Sequence, residues 1–158
     1  MTIFVPSSPG GYTIFCDDCR IENNGKAFYI GVYNSALVLP GPLPGVLATF
    51  AAIATYRERP GESDLPVTLR LFVPGVDAPL FERRLPVEEA RARALSSDWP
   101  EGEDRMINLV NTILISPLPL PQPGFIKVRA YRGEDEIRMG ALEVRATDPA
   151  QHTSQNLA

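Results

Sequence analysis

The dipeptide Asn24-Gly25 constrains this chain more than any other pair of neighbours. Two aromatic and β-branched runs flank it, one ending at Ile21 and the other running from Ala27 to Tyr33. Both central residues of a type I′ hairpin turn need φ > 0, and Asn-Gly meets that need at the least steric cost. The pair therefore predicts a hairpin of fixed register. Asn23 faces Lys26, Ile21 faces Phe28, Cys19 faces Ile30 and Asp17 faces Val32. Arg20 then faces Tyr29, Asp18 faces Gly31 and Cys16 faces Tyr33. Side chains alternate between the faces of a strand. Phe15, Cys19, Ile21, Phe28, Ile30 and Val32 are thus expected on the core face. Asp17 shares that face, where an unpaired carboxylate is costly. Either a bulge near Cys16 turns Asp17 outward or the carboxylate bonds to backbone.

Downstream, turn residues divide a series of short strands. Ala36–Leu39 leads into Pro-Gly-Pro-Leu-Pro-Gly at 40–45, which forbids regular ladder pairing. Val46–Arg57 is apolar on both faces and reads as a central strand. Val67–Val73 alternates cleanly and predicts a strand with one buried face. Pro79–Leu85 is more polar, with Glu82, Arg83 and Arg84, and suits a sheet edge. Pro86–Ser97 predicts a short surface helix: proline in the first turn, Glu88 and Glu89 near the N-terminus, and Glu89–Arg93 spaced i,i+4. Met106–Ser116 is the clearest core strand, with Ile107, Leu109, Asn111, Ile113 and Ile115 on one face. Alternate prolines in Ser116–Gly124 enforce an extended, polyproline-like path. Phe125–Tyr131 and Glu136–Ala146 close the series, and a phase change at Gly140 predicts a bulge. The expected fold is all-β: a single-domain antiparallel β-sandwich of about eight strands with one short surface helix. Residues 1–11 read as a flexible arm, 12–146 as the sandwich and 147–158 as a disordered tail.

Composition narrows the class. With 158 residues, one domain with a substantial core is expected. The net charge is −4 and no basic run stands out, which argues against a nucleic-acid partner. No apolar stretch approaches the ~20 residues of a membrane helix, and the first residues lack a signal-peptide pattern. A cytoplasmic location, or one within a phage or protein assembly, is expected. Nucleophilic catalysis needs a base, and the one histidine, His152, stands in the polar tail. Adjacent Asp17 and Asp18 would point apart on a strand and do not make a facing carboxylate pair. No phosphate loop or dinucleotide fingerprint is present. The expectation is no enzyme and no cofactor.

Phe15-Cys16-Asp17-Asp18-x-Arg20, then Gly25-Lys26, then Ile30-Gly31-Val32-Tyr33 resembles the N-terminal hairpin of a family of small uncharacterised bacterial proteins. The motifs cover about the first quarter of the chain. The resemblance implies one compact β domain and brings no activity. Its motif residues here are Cys16, Asp17, Asp18, Arg20, Gly31 and Tyr33. It also implies an aliphatic residue as the usual occupant of position 19, which makes the C-x-x-C spacing incidental.

Three functional readings remain. Cys16 and Cys19 form a C-x-x-C, the spacing of a redox pair or half a zinc site. Strand alternation would separate their sulfurs, and a zinc site lacks two further ligands. Reduced, space-filling thiols are expected instead. A calcium site would join Asp17 and Asp18 to Glu101, Glu103 and Asp104, or to Glu134, Asp135 and Glu136, but the spacing of a dedicated loop is missing. The two proline-rich segments present Leu43, Leu118 and Leu120 on stiff backbones, with Trp99 as a further apolar candidate; these leucines either contact a partner or close one end of the sandwich. The favoured expectation is a non-enzymatic protein–protein interaction or assembly module, a phage- or mobile-element-type accessory component, with a protein partner or a second copy bound. A calcium- or ligand-binding sandwich is the alternative, and a thiol or metal protein the third.

Overall fold

The computed structural model describes residues 8–96, 98 and 105–147. The expected arm and tail lie largely outside them, as do Trp99, Glu101, Glu103, Asp104 and His152. In chain order the strands are β1 (Gly10–Cys16), β2 (Asp18–Ile21), β3 (Ala27–Ile30), β4 (Ala36–Leu39), β5 (Gly45–Leu47), β6 (Phe50–Glu58), β7 (Val67–Phe72) and β8 (Phe81–Arg84). Helix α1 (Val87–Ser96) follows, then β9 (Ile107–Ile115), β10 (Leu118–Leu120), β11 (Gly124–Arg132) and β12 (Asp135–Ala146). A three-stranded sheet ordered β1-β6-β9 faces a five-stranded sheet ordered β4-β12-β11-β7-β8. β5 pairs with β10, and β2 with β3, in two small ribbons. Pairing is antiparallel except between β4 and β12, which run parallel.

The protein is thus a sandwich-like all-β fold with one short helix, as the alternating patterns predict. Phe50, Ala52, Ala54 and Tyr56 of β6 meet Leu69, Leu71, Ile126, Val128, Met139 and Val144 of the facing sheet in one apolar core. β6 is buried almost throughout, the central position expected of a segment apolar on both faces. β7 alternates between buried and half-buried residues, and β8 takes the sheet edge. The predicted bulge is present: Val128 pairs with Gly140 and Arg129 with Arg138, so Met139 has no opposite number.

Two expectations are overturned, the first of them in the N-terminal hairpin. The hairpin register is shifted by one residue, with Cys19 opposite Tyr29 and Arg20 opposite Phe28. The turn has three residues rather than two: the Gly25 N–H donates to the Glu22 carbonyl at 2.9 Å, and the Glu22 N–H to the Lys26 carbonyl at 2.8 Å. Gly25 alone takes positive φ, at 82°. That is the three-residue alternative to a type I′ turn, with glycine in the left-handed position after the turn. The Asn24 side chain caps it by accepting from the Lys26 N–H at 2.9 Å. β3 is exposed on both faces, so the ribbon has no core face beyond Cys19. Phe15 and Cys19 are buried, whereas Ile21, Phe28, Ile30 and Val32, expected in the core, are exposed. The ribbon leans on the outer side of the three-stranded sheet through β2 and does not organise the core.

The second correction concerns the proline-rich segments. β5 and β10 do pair, with Leu47 opposite Leu118 and Gly45 opposite Leu120. Phe50 stands opposite Ile115 in the β6–β9 ladder, so both ladders keep one register across an interruption. Pro117 sits at that interruption and has no N–H to give. The Ser116 hydroxyl donates to the Ala48 carbonyl at 2.8 Å and bridges the gap. Across the break both strands change phase: Phe50 turns inward on one side, Leu118 and Leu120 on the other.

Candidate functional site

The motif residues of the hairpin do come together. A bend at Asp17 separates β1 from β2 and turns its side chain outward, as expected of a kink near Cys16. The Asp17 N–H donates to the Ile30 carbonyl at 2.9 Å, and the Tyr33 N–H to the Phe15 carbonyl at 2.9 Å. The Tyr33 hydroxyl donates to the Asp17 carboxylate. That carboxylate lies directly over Gly31, whose φ is +67°; a methyl group built on Gly31 would stand 2.7 Å from the carboxyl carbon. Only glycine fits both the backbone angle and the space. Tyr33 is half-buried, its ring 6.4 Å from Phe50. Burial raises its phenol above the ordinary range, and the bond to Asp17 raises it further. Asp17, Gly31 and Tyr33 form a latch that ties the exposed ribbon to the core. Asp18 accepts the Cys19 N–H at 2.8 Å and pairs with exposed Arg20 at 3.3 Å, a surface contact of small energetic weight.

Cys16 and Cys19 are both free and buried. The expectation that alternation would separate them fails, because the bend at Asp17 resets the phase. Both enter one small cluster with Ala51, Ile53 and Ile14 on the outer side of β6. Burial pushes the Cys16 thiol up, and the neighbouring Cys19 and Asp17 add to the rise. A reactive or metal-binding cysteine needs the opposite shift, toward thiolate. Among the described residues no three His, Cys, Asp or Glu side chains gather as a metal-binding group.

Leu118 and Leu120, read from the sequence as candidate contact residues, are fully buried and belong to the core. Leu43 is half-buried against it. These leucines close one end of the sandwich, because the phase change at the Pro117 break turns them inward. Trp99 lies outside the described residues. What the two segments do expose is their outward edge. Pro44, Val46, Pro119 and Pro121 line a groove of about 540 Å³ with Val76 and Leu80 from the β7–β8 connection. Val46 is 61% exposed and Leu80 42%. Among the described residues no charged side chain lines it.

A buried ionic cluster carried no motif. Glu58, at the end of β6, is fully buried. Its carboxylate accepts from Arg91 of α1 at 2.5 and 3.0 Å, and from the Tyr56 hydroxyl at 2.6 Å. Arg91 also donates to the Leu65 carbonyl at 2.8 Å, which fixes α1 against the sheet. Burial, followed by the bond to Glu58, raises the Tyr56 phenol. The cluster is closed to solvent, so its role is structural. An arginine at the buried spacing Val87–Arg91 was its only trace in the sequence.

No family model, curated protein or solved structure matches the chain. No helix among the described residues is long and apolar enough to cross a membrane.

Proposed function

We propose that the protein is a non-enzymatic interaction module whose contact surface is the apolar groove beside the paired proline-rich segments. One observation carries this reading: a groove of about 540 Å³ lined by Pro44, Val46, Val76, Leu80, Pro119 and Pro121, with no charged group among its described walls. Contiguous exposed apolar surface is costly to leave in water and marks contact sites. Proline walls hold their shape when unbound, so little chain entropy is lost on docking. A phage- or mobile-element-type assembly component fits a small scaffold with such a face.

The test replaces Val46 and Leu80 together by Asp. Both are exposed, so the fold should melt as wild type does. Sedimentation velocity reports self-association, and an immobilised wild-type column identifies heterologous partners by mass spectrometry. The expected result is an assembly or partner present with wild type and lost with V46D/L80D. A partner retained equally by both proteins removes the groove. The exposed ribbon, with Phe28 52% and Ile30 43% exposed, supplies a second surface, and Phe28→Asp with Ile30→Asp tests it separately.

A further inference from the structure

We propose that the outer face of the five-stranded sheet binds an acidic peptide segment of a partner protein, laid across cationic side chains of β11 and β12. The proposal rests on the interaction function above and adds the chemistry of what is bound. On this face Arg129 stands directly opposite Arg70 on one side and Arg138 on the other. Like charges placed opposite one another weaken a sheet. Two of the three are compensated: Arg70 by Glu82 at 2.5 Å, and Arg129 by Glu136 at 3.3 Å. Arg129 is held further by the Val128 and Gly140 carbonyls at 2.8 and 3.1 Å. Arg138, and Lys127 two positions along from Arg129, are exposed and have no carboxylate partner among the described residues. A like-charged row with two members uncompensated is a cost that a bound anion removes.

Lys127, Arg129 and Arg138 floor a groove of about 640 Å³, walled by Phe72, Phe125 and Tyr131. Its carboxylates among the described residues are Glu136, already engaged by Arg129, and Asp77 at the β7–β8 connection. Val73 and Val76 line both this groove and the apolar one, so the two meet at that connection. A single extended segment can therefore place apolar side chains at one end and carboxylates at the other. The guanidinium fork of Arg138 matches a carboxylate in two parallel bonds. Lys127, Arg129 and Arg138 outnumber Asp77 and Glu136 along the groove on a chain of net charge −4, and such segregation steers an acidic partner toward it. Glu82, Glu136 and Asp77 interrupt the positive surface, which disfavours the unbroken phosphate backbone of a nucleic acid.

Fluorescence anisotropy with a fluorescein-labelled peptide of alternating Glu and Leu tests the proposal. Wild type should bind it, and binding should weaken as salt rises. K127E/R138E should bind about tenfold or more weakly while melting at the wild-type temperature, because both sites are exposed. R138Q, which deletes charge without reversing it, should fall between the two. Failure of wild type to bind, unchanged affinity in the charge-reversed protein, or tighter binding of a labelled single-stranded oligonucleotide would each overturn it. So would full competition by inorganic phosphate, which would indicate a small-anion site. Loss of binding in V46D/L80D but not in K127E/R138E would leave the apolar groove standing and remove the cationic one. Loss in K127E/R138E alone would do the reverse.

Discussion

Replacing Gly31 by alanine should cost far more than the same change at Gly25, although both glycines have positive φ. Gly25, at +82°, has open space around it, and Gly31, at +67°, has the Asp17 carboxylate above it. Left-handed backbone costs an L-residue about 1 kcal/mol at either site. At Gly31 the new methyl must also push the Asp17 carboxylate away, and the Tyr33 hydroxyl then loses its acceptor. A hydrogen bond to a charged group contributes about 1.5–3 kcal/mol, and exposed Asp17 belongs at the low end. Gly31→Ala should therefore cost about 2.5 kcal/mol and Gly25→Ala about 1 kcal/mol. For a chain of this size 1 kcal/mol moves Tm by about 2–4 °C, so the two variants should melt about 3–6 °C apart. Urea unfolding gives the same difference as free energy. The cycle with Asp17→Ala isolates the latch. With the carboxylate gone, Gly31→Ala should cost only the backbone term of about 1 kcal/mol. Equal melting of the two single variants, or strict additivity in the cycle, would refute the latch.

Removing Arg91 should be among the most damaging single changes: Arg91→Met leaves the buried Glu58 carboxylate without its main partner and should cost about 3–5 kcal/mol by urea unfolding, with Glu58→Leu in the same chain recovering much of the loss. Tyr33 and Tyr56 both have phenols raised above the ordinary value near 10. In the unfolded chain they ionise near pH 10 while the folded protein keeps them protonated, so their stabilising contribution is whole below that pH and is lost as pH rises above it. Tm measured across alkaline pH should fall, and Tyr56→Phe should flatten the fall. Cys16 and Cys19 should resist a thiol reagent at neutral pH until denaturant is added, and the native mass should show neither a bridge nor stoichiometric zinc; rapid native labelling of both would contradict their burial.

The strands that matter to the core were legible because alternation is a burial code. Val67, Leu69 and Leu71 repeat every second residue, and each of them is buried. The bulge was legible because the phase changes at Gly140. The hairpin was read one residue out of register, because Asn24-Gly25 serves two turn lengths that differ only in which residues take positive φ. Ile21, Phe28 and Ile30 are exposed for a different reason: β3 is open to solvent on both faces, and nothing in the local pattern says that no sheet covers it. Leu118 and Leu120 were misplaced for a related reason: a proline interrupts a ladder without ending it, and the phase beyond it cannot be counted through. The latch and the Glu58–Arg91 pair depend on residues 14 to 33 positions apart. Such contacts follow from the way the sheets stack, which local pattern does not carry.

The sheet edges explain why a contact surface at the proline-rich end should work through side chains rather than by strand addition. A partner strand needs a row of free N–H and C=O groups. At one edge of the five-stranded sheet, β8 is exposed and charged through Glu82, Arg83 and Arg84, which discourages a second strand. The other main sheet has its edges at β9, against which α1 packs, and at β1, which lies against β12 of the facing sheet. β10 offers Pro119 at its centre, with Pro121 just beyond it, and neither has an N–H to donate. The prolines that keep this end from pairing onward also leave Val46 and Leu80 uncovered beside them. A partner seated there must anchor apolar side chains between rigid proline walls, so its affinity should depend on Val46 and Leu80 and be nearly indifferent to the backbone of β10.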